Sequence, residues 1–399
     1  MENSGVYSEN YDILVVGGGI NGAGIAQCAA ACGYKTLLIE KDTWGSGTSS
    51  KSSKLIHGGL RYLQSGQLKM VYESLQERKR LMQLAPQLVQ QSNFYIPIYT
   101  SSRLKAWYIC IGLFLYYLLS GFSASNRFRR LKRSEWQIFR NLKQDGLKAV
   151  LHYHDCQTDD LALTAAVAKS AQQLGAACLE NTQLHSARKI DSSYSVELES
   201  FASQTPENIS VNCKVLINAA GPWINEVAKN VDPQPPQVFI DLVQGSHLVL
   251  EPQLSENCFY LESPSDGRAV FVLPWHGKTL LGTTETKHLD LPDAAKLTET
   301  ETNYLLEVLK HYFPNYQYEP IEHMTGLRVL PHKPGSVHTR SREVVLLEDN
   351  DNQPGYIAVY GGKLTTYRST AEKVIRIAEK TLGKGTNEPA ITREISLVG

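Results

Sequence analysis

The distribution of apolar residues predicts a first part of the chain in which strands alternate with helices. Residues 13–16 and 36–39 are apolar runs of strand length, and residues 21–32 between them are small and apolar, as in a buried helix. This strand–helix–strand order is typical of a parallel sheet. Longer segments predict further helices at residues 67–85, 161–174, 298–313 and 363–382.

Shorter apolar runs separated by turns predict an antiparallel sheet in the second half of the chain. These runs lie at residues 238–242, 247–250, 269–273 and 279–281. Other strands are predicted at residues 194–201, 211–217, 324–330, 343–347 and 356–360. The predicted fold class is therefore α/β (α+β overall), with a parallel-sheet domain and a second, antiparallel-sheet domain.

A glycine-rich turn joins the first predicted strand to the first predicted helix. Gly17, Gly19 and Gly22 form the pattern G-x-G-x-x-G. The first glycine allows a tight turn, the second lets a pyrophosphate approach the backbone, and the third lets the helix pack on the strand. Glu40 ends the second strand, where a carboxylate can accept hydrogen bonds from ribose hydroxyls. The turn therefore predicts a dinucleotide-binding site.

Composition narrows the class of protein. Forty basic and forty acidic side chains cancel among 399 residues, so net charge gives no reason to expect a nucleic-acid partner. Seven cysteines lie scattered without a C-x-x-C pair, which favours reduced thiols in a cytoplasmic protein and no metal site. Residues 1–12 are polar and acidic, so no signal peptide is predicted.

A long uncharged stretch, residues 106–126, has the length of a membrane span. A span is excluded because the glycine turn precedes the stretch and further motifs of the same site follow it. Two alternatives remain open: a buried helix, or a helix lying in the interface of an anionic membrane. Five cations follow the stretch directly: Arg127, Arg129, Arg130, Lys132 and Arg133.

A series of motifs runs along almost the whole chain. They are G-S-G-T-S-S at 45–50, S-K-L-I-H-G-G-L-R-Y-L at 53–63, N-A-A-G-P-W at 218–223, G-S-H at 245–247, F-V-L-P-W at 271–275, G-T-T at 282–284, G-L-R at 326–328 and G-G-K-L-T-T-Y-R at 361–368. In this order they resemble the FAD-dependent glycerol-3-phosphate dehydrogenases, which belong to the D-amino-acid-oxidase-like flavoproteins. The motifs G-G-L-R-Y and G-G-K-L-T-T-Y-R are specific to that family, whereas G-x-G-x-x-G is not.

The resemblance implies a two-domain flavoprotein. Its Rossmann-like FAD-binding domain would be discontinuous, with residues 1–95, 150–232 and 352–399. The substrate-binding domain would comprise residues 96–149 and 233–351, with a membrane-associating segment near 106–133. Longer family members carry a further helical domain, so we expect a short form without that domain that retains the flavin chemistry.

The resemblance also implies the reaction, oxidation of sn-glycerol 3-phosphate to dihydroxyacetone phosphate. A hydride passes from C2 to flavin N5 while a base accepts the hydroxyl proton. His247 is the predicted base, and Lys363 and Arg328 complete the predicted catalytic set. The predicted substrate-binding residues are Arg61, Tyr62, Arg328, Arg342 (or Arg340, depending on strand register) and Lys363. The predicted FAD-binding residues are Gly17, Gly19, Gly22, Glu40, Lys41, Thr48, Ser49, Ser50, Ser53, Lys54, Leu55, His57, Leu184, Gly221, Gly362, Leu364 and Thr365.

Two other functions stay open at this point. One is a flavin amine or 2-hydroxy-acid oxidase of the same fold, and the other is an FAD-binding module without catalysis. The cations Arg61, Arg328 and Lys363 argue against the first, because a carboxylate substrate needs less positive charge than a phosphate. A membrane quinone is the expected electron acceptor, which implies a cytoplasmic protein held peripherally on the inner face of the cytoplasmic membrane.

Overall fold

The structure, a computed structural model, describes residues 10–64, 66–139, 141–332 and 343–397, without the side chains of Arg61 and Gln64. Its strands are β1 Asn10–Val16, β2 Thr36–Ile39, β3 Leu55–Ile56, β4 Val89–Tyr99, β5 Arg129–Arg130, β6 Leu147–Thr158, β7 Ala177–Leu179, β8 Thr182–Ile190, β9 Ser193–Ser200, β10 Glu207–Asn218, β11 Val231–Asp232, β12 Ile240–Glu251, β13 Cys258–Glu262, β14 Ala269–Trp275, β15 Lys278–Gly282, β16 Thr286–His288, β17 Glu319–Pro331, β18 Val345–Glu348 and β19 Tyr356–Tyr360. Its α-helices are α1 Ile20–Ala31, α2 Arg61–Gln64, α3 Leu68–Leu84, α4 Ala106–Leu119, α5 Asp160–Gln173, α6 Ile224–Lys229, α7 Glu299–Tyr312 and α8 Tyr367–Leu382.

The first sheet has a parallel centre that the predicted strand–helix–strand unit begins. β1 pairs in parallel with β2 on one side and β10 on the other, and β19 pairs in parallel with β10. Helices α1 and α8 contribute Ile25 and Val374 to the core on one face, next to Ile13 and Val215. β2 is buried throughout because both faces of the sheet are covered. The predicted Rossmann-like fold is confirmed.

The second sheet is mainly antiparallel, and its order within the described residues is β16-β12-β15-β14-β13-β4-β6-β3, with β17 paired to β12 and β5 to β6. The predicted domain boundaries at 95/96 and 149/150 fall inside β4 and β6, which pair with each other along their length. β18, predicted in the second domain, pairs with β19 in the first sheet. The strand content of each sheet is thus known, while the domain boundaries stay predictions.

One long strand, β12, replaces the two short strands predicted at 238–242 and 247–250. The polar residues between those runs are extended and buried because other segments supply their hydrogen-bond partners. The N–H of Ser246 donates to Thr284 Oγ1 at 2.9 Å, and Gln244 Nε2 donates to Glu301 Oε2 at 2.6 Å. The apolar pattern misses this strand because its centre is polar.

Helix α4 coincides with the predicted apolar helix, but of its residues only Leu113 and Tyr116 are buried. Trp107 is 66% exposed and Phe114 is 51% exposed, and the side chain of Ile111 is exposed as well. The alternative of a buried helix is therefore contradicted. Within the described ranges, no helix combines the length and the apolarity that a membrane crossing requires.

Two helix ends test the sequence signals. Thr298 and Glu301 form the predicted capping box: each side chain accepts the other's backbone N–H at 3.2 Å. The last helix, predicted from residue 363, begins later. Lys363 is extended, a 3₁₀ turn follows at Leu364–Thr366, and α8 starts at Tyr367. Lys363 therefore belongs to the loop in front of the helix.

Candidate active site

A cavity of about 610 Å³ lies between the two sheets. Val16, Ile39 and Ala219 line it from the first sheet and the segment after it, whereas Gly245 and Phe271 line it from the second. The cavity begins where parallel strands β1 and β2 end. Ligands of open α/β sheets bind at such carboxyl ends.

The glycine turn forms one wall of this cavity. Gly17 has φ +104°, and a Cβ there would lie 2.7 Å from the carbonyl oxygen of Ala219. A Cβ on Gly22 would lie 1.8 Å from the carbonyl oxygen of Gly17. Gly17 and Gly19 line the cavity, whereas Gly22 packs α1 against the turn and is not among the lining residues. The turn at Gly17 and the packing at Gly22 therefore require glycine, while the approach of a pyrophosphate to Gly19 stays a prediction.

Glu40 lines the cavity at the end of β2 and also holds the glycine turn. Its Oε2 accepts the Gly18 N–H at 2.6 Å, and its Oε1 accepts the Asp42 N–H at 3.0 Å. Burial raises the pKa of Glu40, and these two hydrogen bonds oppose that shift. The position suits a ribose contact, but two backbone N–H groups already use part of the hydrogen-bonding capacity of the carboxylate.

The serine-rich segment after β2 lines the cavity with side chains that also bind protein. Ser49 Oγ accepts the Ile20 N–H at 2.9 Å, which caps the first turn of α1. Thr48 Oγ1 donates to the Leu327 carbonyl at 2.7 Å and so joins the first sheet's loop to β17. Other predicted FAD-binding residues line the same cavity: Lys41, Ser53, Leu55, His57, Leu184, Gly221, Gly362, Leu364 and Thr365.

Besides Gly22, two predicted FAD-binding residues, Lys54 and Ser50, are not among the described cavity-lining residues. Lys54 Nζ donates to Asp160 Oδ1 at 2.5 Å and to the Ser50 carbonyl at 2.6 Å. The Lys54 side chain is only 4% exposed, and Asp160 also accepts the Ser52 N–H at 2.9 Å. This buried ion pair stabilises the conformation of the segment and does not face the cavity.

Arg328 supplies a cation to the wall of the cavity. Its Nη2 donates to Thr283 Oγ1 at 3.1 Å and its Nη1 donates to the Thr284 carbonyl at 3.4 Å. A Cβ on Gly245, on the neighbouring strand, would lie 2.6 Å from Arg328 Nη2. Glycine at 245 therefore leaves space for the guanidinium along the wall.

Tyr62 and Lys363 also line the cavity and contact each other. Lys363 Nζ lies 4.0 Å from the centre of the Tyr62 ring and contacts Met70 Sδ. His57 is tied to the same region, because its N–H donates to Thr365 Oγ1 at 3.2 Å. The side chain of Arg61 and residues Arg340 and Arg342 lie outside the described part of the structure.

His247, the predicted base, lies behind the cavity wall. It is 2% exposed, and its Nε2 is hydrogen-bonded to Ser53 Oγ at 2.9 Å. Ser53 lines the cavity, whereas His247 is not among the described lining residues. Burial, followed by the charges of Arg328 and Lys54, lowers the pKa of His247 to about 3, so the imidazole is neutral at physiological pH.

A glycine explains how this histidine fits. His247 pairs across the sheet with Gly282, and a Cβ there would lie 2.1 Å from the imidazole Cδ2. Gly282 opens the G-T-T motif. Gly282 is therefore required for the packing of His247, and Thr283 and Thr284 of the same motif hold Arg328.

Sequence reasoning missed several cavity residues that come from β4, β6, β13 and β14. They are Phe94, Tyr153, Asp155, Tyr260 and Phe271, together with Arg268 in the turn before β14. Asp155 precedes the pair Asp159–Asp160 in the sequence, but none of its neighbours indicates that its side chain faces a cavity. The aromatic residues look like ordinary strand residues until the strands are paired.

Comparisons with known proteins agree with this geometry. A family model described as FAD dependent oxidoreductase matches residues 12–368. The glycerol-3-phosphate dehydrogenase of Synechocystis sp. is 36% identical over 393 residues, which cover 94% of this chain and 70% of that protein. The D-erythritol 1-phosphate dehydrogenase of Brucella abortus is 35% identical over 372 residues, covering 92% and 73% respectively.

A solved structure shows the same architecture. The X-ray structure of glycerol-3-phosphate dehydrogenase from Bacillus halodurans complexed with FAD has a TM-score of 0.76 and 28% identity, covering 97% of this chain and 68% of that one. The residues here fit the same cofactor. Gly17 leaves no room for a side chain beside the turn, and the cavity-lining Asn21 has a buried Oδ1 without a hydrogen-bond partner among the described residues. The resemblance seen in the sequence is confirmed, and the chain belongs to the FAD dependent oxidoreductase family.

Proposed function

We propose that this protein oxidises sn-glycerol 3-phosphate to dihydroxyacetone phosphate and passes the electrons to a membrane quinone. The observation that supports it best is one cavity that is lined both by the glycine turn and by Arg328, Lys363 and Tyr62. A phosphate dianion requires fixed cations, and arginine binds phosphate oxygens in pairs. Bound FAD supplies a hydride acceptor at its flavin N5.

Arg328 and Lys363 are proposed to bind different parts of the substrate. Arg328 is held by Thr283 and Thr284 along the wall, so its planar guanidinium is oriented before a phosphate arrives. Lys363 lies in the loop before α8, over Tyr62. We assign the phosphate to Arg328, with Arg61 and Arg342 as further candidates, and the developing alkoxide to Lys363.

Ser53 and His247 are the proposed route for the hydroxyl proton. The substrate hydroxyl gives its proton to Ser53 Oγ as Ser53 gives its own to His247 Nε2, 2.9 Å away. The Arg328 charge is the second cause of the low pKa of His247. A phosphate bound to Arg328 would offset that charge and raise the pKa of His247, so substrate binding itself would prepare the base.

The proposed quinone reaction requires contact with a membrane, and α4 offers a surface for it. Its exposed aromatic and aliphatic side chains are followed by the exposed cations Arg127, Arg129, Arg130, Lys132 and Arg133. Apolar insertion beside basic residues is how peripheral helices bind anionic membranes. We propose peripheral attachment on the inner face of the cytoplasmic membrane through this α4 surface.

Anaerobic reduction of the bound flavin tests the proposal. Addition of sn-glycerol 3-phosphate to the yellow holoenzyme should bleach the flavin absorbance near 450 nm within the turnover time, whereas glycerol at equal concentration should leave it oxidised. Reduction by amines or 2-hydroxy acids, with none by the phosphate, would favour an oxidase of that other class. An oxidised flavin with every substrate would favour a module without catalysis.

A longer polyol phosphate is the second candidate substrate. The D-erythritol 1-phosphate dehydrogenase relative is 35% identical, against 36% for the glycerol-3-phosphate dehydrogenase relative. The same titration with D-erythritol 1-phosphate separates the two, because the better substrate reduces the flavin with the higher kcat/KM.

A further inference from the structure

The buried side of α4 carries a polar group that the proposed reaction does not use. Tyr116 is 1% exposed, and its ring packs against Val71 and Leu75 of α3. Leu60 and Tyr62, from the segment of residues 57–62, pack against the same cluster. The ring therefore lies directly beneath the segment that carries Tyr62 into the cavity.

The hydroxyl of Tyr116 both accepts and donates a hydrogen bond. It accepts the backbone N–H of Gly58 at 2.8 Å and donates to Asp155, whose Oδ2 lies 2.9 Å away. A phenol hydroxyl has one proton to donate, and Asp155 accepts it, while the Gly58 N–H occupies a lone pair of the oxygen. Arg78 holds the other side of Asp155 and also bonds Asn126. Burial, followed by the charge of Asp155, raises the pKa of Tyr116 well above its usual value, which keeps the phenol protonated.

Gly58 is in direct contact with this hydroxyl. A Cβ on Gly58 would lie 2.5 Å from Tyr116 Oη, so the backbone approaches the oxygen as closely as glycine allows. On the cavity side, Thr365 Oγ1 accepts the His57 N–H at 3.2 Å. Successive residues of one segment are thus held by two different elements, Thr365 before α8 and Tyr116 on α4.

We propose that Tyr116 is a positioning residue for substrate binding, acting through the Gly58 amide and Asp155. It fixes residues 57–62 so that Tyr62 meets Lys363 in the cavity wall. The inference rests on the proposed function, which assigns the developing alkoxide of the substrate to Lys363. It also means that the helix with the exposed apolar surface contributes to substrate binding from its opposite side.

Tyr116→Phe is the appropriate change because it keeps the ring in the apolar cluster and removes only the hydroxyl. The Arg78–Asp155 ion pair remains, so the fold should persist. We expect KM for sn-glycerol 3-phosphate to rise about tenfold, since small misplacements of positioning groups cost up to about a hundredfold. The kcat should change less, because Lys363 itself is not altered.

Tyr117→Phe is the matched control on the same helix. The Tyr117 ring lies 5.3 Å from that of Phe122, which follows α4. Among the described residues, Tyr117 does not belong to the apolar cluster that contains Tyr116, Leu60 and Tyr62. A rise in KM of equal size in both variants would assign the effect to α4 in general and overturn the proposal. In a double variant, Tyr62→Phe should add less to the KM of Tyr116→Phe than it does alone.

Hydrogen exchange of the holoenzyme separates positioning from overall stability without using activity. In Tyr116→Phe the amides of residues 57–63 should exchange at least tenfold faster, while α1 and β2 exchange as before. Unchanged exchange at residues 57–63, or a rise throughout the molecule, would overturn the proposal. If the wild-type flavin is not reduced by sn-glycerol 3-phosphate, the proposed function fails, and the exchange result alone then tests whether Tyr116 positions the segment.

Discussion

Arg328 and Lys54 show how differently two predicted cations behave once the chain folds. Both come from motifs of the family resemblance, and both are bound by neighbouring side chains. Lys54 ends in a buried ion pair with Asp160, while Arg328 lies along the cavity wall. Sequence motifs identify residues that the fold requires, but they do not distinguish a cation that holds a loop from one that can meet a ligand.

Replacing Arg328 by alanine should mainly weaken substrate binding. Loss of one charge-assisted contact, worth roughly 1.5–3 kcal/mol, would raise KM for sn-glycerol 3-phosphate tenfold or more. Steady-state kinetics with saturating acceptor measures the change. Arg188→Ala is the control, because that arginine is 76% exposed in a surface ion pair with Asp232. Equal losses with glycerol and with the phosphate would contradict the assignment of Arg328 to the phosphate.

Residue roles were predictable where the backbone geometry demands a particular residue. Gly17 needs its positive φ, and Glu40, directly after β2, accepts the Gly18 N–H of the same turn. The position of His247 behind Ser53 was not predictable, because it depends on the register of β12 against β15. Asp155 was missed for the same reason: only the pairing of β4 with β6 and the packing of α4 reveal which way it points.

At the level of elements, long patterned segments were predicted well and polar strand centres were not. α7 matches its predicted range to within a residue at each end because it opens with a capping box. α4 begins where the uncharged stretch begins, at Ala106, but ends at Leu119, before the end of that stretch. β12 was divided in two because Gln244 and Ser246 find buried partners that the pattern cannot show. β8 was missed because its polar residues alternate weakly with apolar ones.

The exposed surface of α4 predicts binding to anionic vesicles. Trp107→Glu with Phe114→Glu should abolish flotation with phosphatidylglycerol vesicles without unfolding the protein, because both side chains are exposed already. Wild-type binding should weaken with salt, since each basic residue near the surface contributes about 1 kcal/mol.

The control for this experiment is a different exposed apolar residue. Phe239 is 86% exposed and lies just before β12, away from α4 in the chain, so Phe239→Glu should leave flotation unchanged. Absence of wild-type binding at low salt, with the flavin still reduced by sn-glycerol 3-phosphate, would contradict the membrane proposal and leave the enzyme proposal standing.

On the scale of the whole molecule, a buried ion cluster joins distant parts of the chain. Arg368, the last residue of the G-G-K-L-T-T-Y-R motif, donates to both oxygens of Glu77 on α3, at 2.6 and 2.8 Å. It also bonds Glu372, which accepts from Arg393 at 3.0 Å. The motif's final arginine is therefore structural, although its lysine lies at the cavity.

Arg368→Met should destabilise the protein strongly. It leaves Glu77 without its bidentate partner in a buried site, and removal of one member of such a pair costs about 3–5 kcal/mol. Arg393→Met removes a half-exposed partner of the same Glu372, so its effect should be much smaller. Urea unfolding of the FAD-saturated proteins measures both. Equal midpoints for the two variants would show that burial of Arg368 does not govern its contribution.

The order of strands in the first sheet also has a consequence for biosynthesis. At its carboxyl end β10 is bordered by β1, which is synthesised long before it, and by β19, which is synthesised long after it. Until residues 356–360 emerge, one edge of β10 at its carboxyl end is unpaired, and an unpaired parallel edge is prone to wrong pairing. The cavity also needs Gly362 and Thr365, which emerge later still. Cofactor loading must therefore wait until residues 356–365 have left the ribosome, and a nascent chain stalled before β19 would be a substrate for chaperones rather than for FAD.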